Sequence, residues 1–252
     1  MTPTVIVVDD DIASASVLAR LLRRLGCEVT ACTDAQAALP LALAGDVDLV
    51  SLDLTMPGLD GYQVLTLIRS HEHSRRAPSV PVITVTGRVT PEDRADALAD
   101  GFSAHLGKPV MLDALRGALA RALTLRSDLQ RARYTVDHLS IEDCMQQLRG
   151  GSAGDSLRSA AGMALAIEQQ GRRALQRALR LAFGGHPDAA RGPLVDLARL
   201  AQALGAARLQ GCLDELSACL DAVDDGLLET AAVLARAELD RVIFTLREQV
   251  RA

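Results

Sequence analysis

The stretch Asp48-Leu-Val-Ser-Leu-Asp53-Leu-Thr-Met-Pro57-Gly58-Leu-Asp-Gly61 decides how the first half of the chain folds. Its apolar run 49–52 has the length of a buried strand, and the turn formers Pro57 and Gly58 follow closely. Such short runs are typical of parallel sheets. Ligands of open α/β sheets bind outside the carboxyl ends of the strands, so we expect Asp53 to lie at the edge of a binding site.

More carboxylates, a hydroxyl and an ammonium group are predicted at the same edge. They follow the other apolar runs: Asp9, Asp10 and Asp11 after 5–8, Thr86 after 80–85, and Lys108 after 103–107. Carboxylates that lie close together raise each other's pKa unless a cation neutralises them. Oxygen ligands without Cys or His suit Mg²⁺. The sequence therefore predicts a magnesium site at this edge of the sheet.

Lys108 is the only lysine in the chain, which otherwise uses arginine. Lysine presents a compact point charge on a flexible stem, whereas arginine presents a broad planar fork. A narrow pocket for a phosphoryl group favours the compact charge. Lys108 is therefore a candidate phosphoryl-binding residue.

Residues 4 to about 125 resemble a response-regulator receiver domain of the chemotaxis-regulator type. The resemblance rests on the order and spacing of Asp9-Asp10, Asp53, Thr86, Lys108-Pro109 and the turn Met56-Pro57-Gly58-x-x-Gly61. It implies that Asp53 is phosphorylated by a partner histidine kinase. It also implies a phosphoryl acceptor and not an enzyme.

The resemblance implies a role for each residue of the site. These roles are Mg²⁺ ligation by Asp10, Asp53 and the Thr55 carbonyl, with Asp9 assisting through water, phosphoryl binding by Lys108 and Thr86, and switching by Thr86. Strand five carries His105 where the family more commonly has Tyr or Phe. We expect His105 to be a rotameric switch that also titrates between about pH 5 and 8. The alternative is a surface histidine that packs indifferently.

Strand-like and helical segments alternate through residues 1–126, which predicts a doubly wound, five-stranded parallel sheet. The helices are expected at about 12–25, 33–44, 60–71, from 91 and from 112. The segment 71–78 is expected to be a polar loop. After this first domain the composition and the pattern of apolar residues change.

Residues 127–252 show no strand pattern and are rich in Ala, Leu and Arg. Helices are expected at about 155–182, 188–204, 206–222 and 226–250, after a Gly-rich break at 149–155. Apolar residues at i, i+3, i+4 and i+7 give these helices one buried face each. Short turns between such helices predict an all-α antiparallel bundle.

The segment Ala203-Leu204-Gly205-Ala206, with the stripe 212–220 after it, is similar to the helical hairpin of histidine-phosphotransfer (HPt) domains. Counting back from Gly205 puts the family's His-x-x-Lys-Gly motif on Val195, Ala198 and Arg199. Valine offers no ring nitrogen as nucleophile. The resemblance thus implies an HPt-like shape without the active histidine. The alternative is an unrelated bundle that contains a similar turn.

These features predict a two-component response regulator whose phosphorylation switches protein contacts of the helical module, through homodimerisation or docking of an output protein. One alternative is a phosphorelay intermediate that uses an unconventional histidine, His138 or His186. The other is a DNA-binding regulator. A net charge of −5, with 15 Arg and 17 acidic residues in 127–252 and no basic stripe, argues against nucleic acid.

The five cysteines have no CxxC spacing and are expected to be buried thiols of a cytoplasmic protein. No signal peptide is expected, because the N-terminus leads almost directly into the first strand. No apolar run reaches membrane-spanning length. No membrane contact is therefore predicted.

Overall fold

The computed structural model describes residues 2–75, 79–132, 165, 167–221 and 225–251. The chain divides into two compact units, Met1–Arg131 and Ala132–Ala252. Among the helices that the structure describes, none combines the length and apolarity needed to cross a membrane.

The first unit is built on five parallel strands in the spatial order β2-β1-β3-β4-β5. Their bounds are β1 Thr4–Val8, β2 Glu28–Cys32, β3 Leu49–Leu52, β4 Val82–Thr86 and β5 Ala104–Gly107. β3 and β4 are buried along their whole length, because helices cover both faces of the sheet. The predicted fold class is confirmed.

Five helices flank the sheet: α1 Ile12–Arg24, α2 Ala35–Leu43, α3 Gly61–Arg75, α4 Pro91–Asp100 and α5 Leu112–Ala132. Val5 and Val7 of β1 join one apolar cluster, and Ile6 and Val8 join the other. This alternation follows from the two-residue period of a strand. Each buried Val or Ile contributes roughly 1.5–3 kcal/mol to folding, so the two layers hold the strand ends in fixed positions.

The prediction of a polar loop at 71–78 is wrong for residues 71–75, which continue α3. Glu72 is buried and accepts hydrogen bonds from the Val80 N–H at 2.6 Å and from Arg69 Nη1 at 2.9 Å. Arg69 also donates to the Val80 carbonyl at 2.8 Å. The polar residues thus tie the end of α3 to the start of β4, and their polarity does not indicate a solvated loop.

The second unit is helical in all residues that the structure assigns to regular elements. A five-residue π-helical segment, Ile167–Gly171, leads into α6 Arg172–Phe183, α7 Pro187–Ala203, α8 Ala207–Cys219 and α9 Asp225–Arg251. The turns before α7 and α8 contain Gly185 and Gly205, with φ of 81° and 63°. The all-α prediction is confirmed, whereas the predicted break at 149–155 lies outside the described residues.

Two predicted features of composition need correction. Among the cysteines that the structure describes, Cys27 is buried, and Cys32, Cys212 and Cys219 are half-buried. Cys144 lies outside the described residues. The expectation of no basic stripe is also wrong, since Arg173, Arg177 and Arg180 lie exposed on one face of α6.

Candidate functional site

Three carboxylates meet at the carboxyl edge of the sheet, as the sequence predicted. Ligand oxygens of Asp9, Asp10 and Asp53 lie within 4.8 Å of one another. Asp9 and Asp53 follow β1 and β3 directly, and the Asp53 N–H donates to the Val8 carbonyl at 2.9 Å. Asp9 and Asp53 are buried, whereas Asp10 is exposed. The cluster therefore has a fixed floor and one side open to solvent.

The backbone and Lys108 orient the two buried carboxylates in the same way. Oδ1 of Asp9 accepts the N–H of Asp11 at 3.1 Å, and Oδ1 of Asp53 accepts the N–H of Thr55 at 3.2 Å. The second oxygen of each faces Lys108, whose Nζ lies 2.7 Å from Asp9 Oδ2 and 2.6 Å from Asp53 Oδ2. One ammonium group thus bridges two strands.

The site carries more negative than positive charge. Burial raises the pKa of Asp9 and outweighs the hydrogen bond and the charge that Lys108 supplies. Burial alone would lower the pKa of Lys108, but the hydrogen bonds and charges of Asp53 and Asp9 raise it above its ordinary value. Lys108 therefore stays charged. Three hard oxygen donors around one ammonium fit a divalent cation such as Mg²⁺.

Thr86 and Lys108 are neighbours at the ends of β4 and β5. The Lys108 N–H donates to the Thr86 carbonyl at 2.8 Å. The Thr86 side chain is buried, and its hydroxyl accepts the N–H of Arg88 at 3.3 Å. The hydroxyl of Thr86 keeps its own proton available for a further acceptor.

A family match covers most of the first unit. Residues 5–120 match the model of the response regulator receiver domain. The order of the strands and the acidic edge agree with that match.

Residues 5–120 form a response regulator receiver domain.

The receiver domain is similar to parts of longer signalling proteins. The chain is 35% identical over 127 residues to the transcriptional regulatory protein TcrA of Mycobacterium tuberculosis, a match that covers 50% of this chain and 48% of TcrA. It is 33% identical over 108 residues to the sensor protein GacS of Pseudomonas syringae, covering 43% of this chain and 12% of GacS. The match thus covers less than half the length of each relative.

A solved structure, a response regulator receiver domain protein from Clostridium thermocellum, is 26% identical, with a TM-score of 0.45. The match covers 50% of this chain and 98% of that one.

The structure brings His105 to the loop after Thr86 and not to the acidic cluster. His105 Nε2 lies 2.9 Å from the Arg88 carbonyl, so Nε2 carries the proton of the neutral ring. Nδ1 is buried without a hydrogen-bond partner among the described residues. Burial lowers the pKa of His105, and the charges of Arg94 and Arg88 add to that effect. The ring is therefore neutral near pH 7.

Sequence reasoning missed Arg88, which joins three parts of this loop. Its N–H donates to Thr86, its carbonyl faces His105, and its guanidinium Nε donates to Asp93 Oδ1 at 2.8 Å. Asp93 also completes a capping box with Thr90 at the start of α4. The spacing Thr90-x-x-Asp93 signals that box and could have revealed Asp93.

The helical unit contains the positions to which the HPt motif was aligned. Val195 and Arg199 are exposed on α7, and Ala198 is half-buried. Arg199 lies 3.5 Å from the carboxylate of Asp196. His186 occupies the N-terminal cap of α7 and does not lie on a helix face. His138 lies outside the described residues.

Proposed function

We propose that Asp53 of this receiver domain accepts a phosphoryl group from a phosphohistidine of a partner kinase or phosphotransfer protein. An Asp53 oxygen attacks phosphorus, the P–N bond breaks, and the imidazole leaves with a proton. Homologous receiver domains indicate a role in two-component signalling or a phosphorelay. The observation that carries the proposal is the Asp53 carboxylate, held by Thr55 and Lys108 beside two further carboxylates.

Asp10, Asp53 and the Thr55 carbonyl would hold Mg²⁺, with Asp9 assisting through water. When bound, Mg²⁺ neutralises charge on the phosphoryl oxygens and on the acidic cluster. The possible ligand atoms of the three aspartates are all oxygens, and the exposed Asp10 lets a cation reach them from solvent. This supports a hard cation over a thiophilic one.

Lys108 and Thr86 would bind the phosphoryl oxygens. The ammonium of Lys108 already contacts Asp53, so it lies next to any group attached there. The buried hydroxyl of Thr86 can donate to a phosphoryl oxygen while it accepts the Arg88 N–H. Movement of Thr86 would then shift Arg88, whose carbonyl His105 contacts. Thr86 and His105 are in this way proposed as the switch.

Labelling of the Asp53→Asn variant tests this function. Asparagine is isosteric but is neither an adequate nucleophile nor a charged ligand. We expect complete loss of Mg²⁺-dependent labelling by acetyl phosphate or a phosphorylated kinase. Asp60→Asn is the matched control, because Asp60 accepts the Gln63 N–H at the start of α3 and asparagine can do the same. Stoichiometric, acid-stable and base-labile label on Asp53→Asn would assign the acceptor elsewhere.

We further infer that the helical module is the output element and has an HPt-like shape without phosphotransfer chemistry. An exposed valine at position 195 supports docking but not phosphorylation. The output is then dimerisation or binding of another protein. Sedimentation of the full chain with and without beryllofluoride tests this. If beryllofluoride changed neither the hydrodynamic radius of the chain nor the set of proteins that bind it, the helical module would not take part in the response to phosphorylation.

A further inference from the structure

Two hydroxyl groups inside the sheet of the receiver domain are buried without a hydrogen-bond partner among the described residues. They belong to Ser51 of β3 and Thr84 of β4, which are 1% and 0% exposed. A buried hydroxyl that makes no hydrogen bond destabilises the state in which it is buried. The neighbours of each hydroxyl in the sheet show whether a partner is within reach.

The two hydroxyls differ in these neighbours. Ser51 stands between Val7 of β1 and Ile83 of β4, and both of those residues are apolar. Thr84 stands beside His105 of β5. Of the two hydroxyls, the one of Thr84 therefore has a polar side chain at the paired position of an adjacent strand.

Thr84 and His105 lie on the same face of the sheet. The residues that follow them, Val85 and Leu106, are also paired and pack in one apolar cluster. Successive side chains of a strand point to opposite faces, so Thr84 and His105 share the other face. Neighbouring strands are about 4.8 Å apart. A change of side-chain rotamer is therefore enough to bring the hydroxyl and the ring together.

The two side chains are also complementary as donor and acceptor. Nε2 of His105 carries the proton of the neutral ring and donates it to the Arg88 carbonyl at 2.9 Å. Nδ1 then has a lone pair, and it is buried without a hydrogen-bond partner among the described residues. The hydroxyl of Thr84 has a proton to donate. An acceptor without a donor thus lies beside a donor without an acceptor.

We propose that Thr84 is a positioning residue of the switch, whose hydroxyl donates to Nδ1 of His105 when the ring turns toward the interior of the domain. The inference rests on the proposed function, in which Thr86 moves toward a phosphoryl group on Asp53. The Arg88 N–H donates to the Thr86 hydroxyl, so this movement displaces the carbonyl that holds Nε2. The ring then exchanges the Arg88 carbonyl for the Thr84 hydroxyl.

The balance of hydrogen bonds favours this exchange once Arg88 has moved. The ring N–H gives up one acceptor, whereas two buried atoms, Nδ1 of His105 and Oγ1 of Thr84, gain a partner. Arg88 is exposed, so its carbonyl can bind water after the ring has left. The inward ring is therefore stabilised by a bond that the outward ring lacks.

The loop that would move also covers the strand beside the ring. Gly107 pairs with Thr86 and lies on the same face of β5 as His105. A Cβ at position 107 would lie 2.6 Å from Cγ1 of Val89, so Val89 occupies the space of a side chain there. Val89 follows Arg88 in the chain and moves with it. A shift of this loop thus frees the surface of β5 next to His105.

Two substitutions at position 84 test the hydrogen bond in the full chain. Thr84→Val keeps the shape and removes the hydroxyl, whereas Thr84→Ser keeps the hydroxyl. The beryllofluoride concentration for half-maximal response, measured with Mg²⁺, should rise about fivefold in Thr84→Val, as for loss of one net hydrogen bond. It should stay near the parental value in Thr84→Ser.

Stability should move in the opposite direction from the response. Without beryllofluoride, Thr84→Val should raise the unfolding temperature of the receiver domain, because it removes a buried hydroxyl that has no partner. A residue that only fills space would weaken stability and response together. A lower unfolding temperature of Thr84→Val would therefore contradict the proposed role.

The ring nitrogen gives a direct readout. In chain labelled at its histidine nitrogens, beryllofluoride should move the NMR resonance of His105 Nδ1 upfield, as expected for a nitrogen that begins to accept a hydrogen bond. Thr84→Val should abolish this movement. His105→Phe assigns the resonance by removing it. In the His105→Phe background, Thr84→Val should not change the beryllofluoride midpoint further, because the pair is already broken.

Two controls separate this inference from the proposed acceptor. Ser51→Ala removes the other buried hydroxyl and should change neither the midpoint nor the His105 resonance. Saturating acetyl phosphate should label Asp53 to the same extent in the parent and in Thr84→Val. The inference is overturned, and the acceptor stands, if a labelled parent shows no movement of the Nδ1 resonance.

The same holds if Thr84→Val keeps the parental midpoint, or if Nδ1 already accepts the Thr84 hydroxyl without beryllofluoride. A parent that is neither labelled nor changed by beryllofluoride overturns the proposed acceptor, and this inference with it.

Discussion

Two clusters of charged side chains in this protein are built on opposite principles. In the receiver domain, the ammonium of Lys108 pairs with two of three clustered carboxylates, and the four groups together carry a formal charge of −2. In the helical unit, the buried Glu238 pairs with both Arg208, at 3.1 Å, and Arg241. That cluster has a formal charge of +1 and no unmet carboxylate.

The difference separates a binding site from a structural contact. Buried carboxylates without enough counter-charge are costly, so the receiver cluster gains free energy from any cation that enters. Glu238 has its partners within the fold: Arg208 joins α8 to α9 through it, and Arg241 pairs with it within α9. Burial of acidic residues alone therefore does not identify the site, whereas the balance of charge around them does.

Magnesium binding should produce the largest difference between the two clusters in their effect on unfolding free energy. At a Mg²⁺ concentration 100 times its dissociation constant, the receiver domain should gain about 2.7 kcal/mol of unfolding free energy. The helical unit should gain none, because it presents no deficit of positive charge at Glu238. Thermal unfolding of the full chain, followed with and without EDTA, measures both units. Asp10→Asn should reduce the shift, and an equal shift of both transitions would contradict the comparison.

Removing the charge of Glu238 should change the stability of the helical unit and leave that of the receiver domain unchanged. Glu238→Gln leaves Arg208 and Arg241 without their buried counter-charge and with one acceptor oxygen fewer, and should destabilise the helical unit by about 2 kcal/mol. The receiver transition should not move. Urea unfolding gives the value. Glu168→Gln is the control, since its pair with Arg247 is more exposed and should cost less than about 1 kcal/mol.

Replacing the solitary lysine sharpens the comparison within the receiver domain. Lys108→Arg keeps the charge, but a planar guanidinium cannot match one nitrogen that contacts both carboxylates at 2.6 and 2.7 Å. We expect the beryllofluoride concentration for half-maximal response to rise about tenfold, or 1.4 kcal/mol. The reverse exchange, Arg126→Lys at the Asp48 pair, should leave the response unchanged. An unaltered response of Lys108→Arg would remove the argument from the compact charge.

The pH dependence of His105 should be the smallest effect. Because burial lowers its pKa, the folded state favours the neutral ring, with Arg88, Arg94 and Asp93 as the charged groups around it. Stability is then complete above about pH 6.5 and falls as the pH drops through the folded pKa. The loss should be below about 1 kcal/mol at pH 5.5 relative to His105→Tyr.

The measurement is the difference in unfolding free energy between parent and His105→Tyr across pH, in which other groups cancel. His186→Gln provides a control for loss of an exposed histidine. The beryllofluoride response of the parent should weaken in the same acidic range, because a charged His105 would leave a buried N–H without an acceptor. A difference curve that is flat from pH 5 to 8 would make His105 a packing residue only.

Much of the receiver domain could be predicted because its signals are local. Apolar runs of strand length, each followed by polar residues, predict that Asp9-Asp10, Asp53, Thr86 and Lys108 lie at one edge of the sheet. The end of α3 could not be predicted in this way. Glu72 is buried there because Arg69 and the Val80 N–H donate hydrogen bonds to its carboxylate. A polar sequence looks like a loop when its hydrogen-bond partners lie elsewhere in the chain.

The helical unit shows the converse limit. Helix positions follow from apolar periodicity, and the bounds of α7, α8 and α9 lie close to those expected. Which charges pair across helices is set by packing, so the role of Glu238 has no local signature. The basic stripe of α6, by contrast, was readable from the spacing of Arg173 and Arg177 but was hidden in the net charge of the whole half.

Gly61 has a consequence for how natural variation in this protein would be interpreted. A Cβ at this position would lie 2.5 Å from the carbonyl oxygen of Asp53 and 3.0 Å from the Cα of Leu54. Any side chain at position 61 would therefore displace the backbone that aims the acceptor carboxylate. A mutational scan scored by signalling would rank Gly61 beside the acidic residues, although it supplies no functional group. Loss of function at such a position would report a displaced neighbour and should not be counted as chemistry.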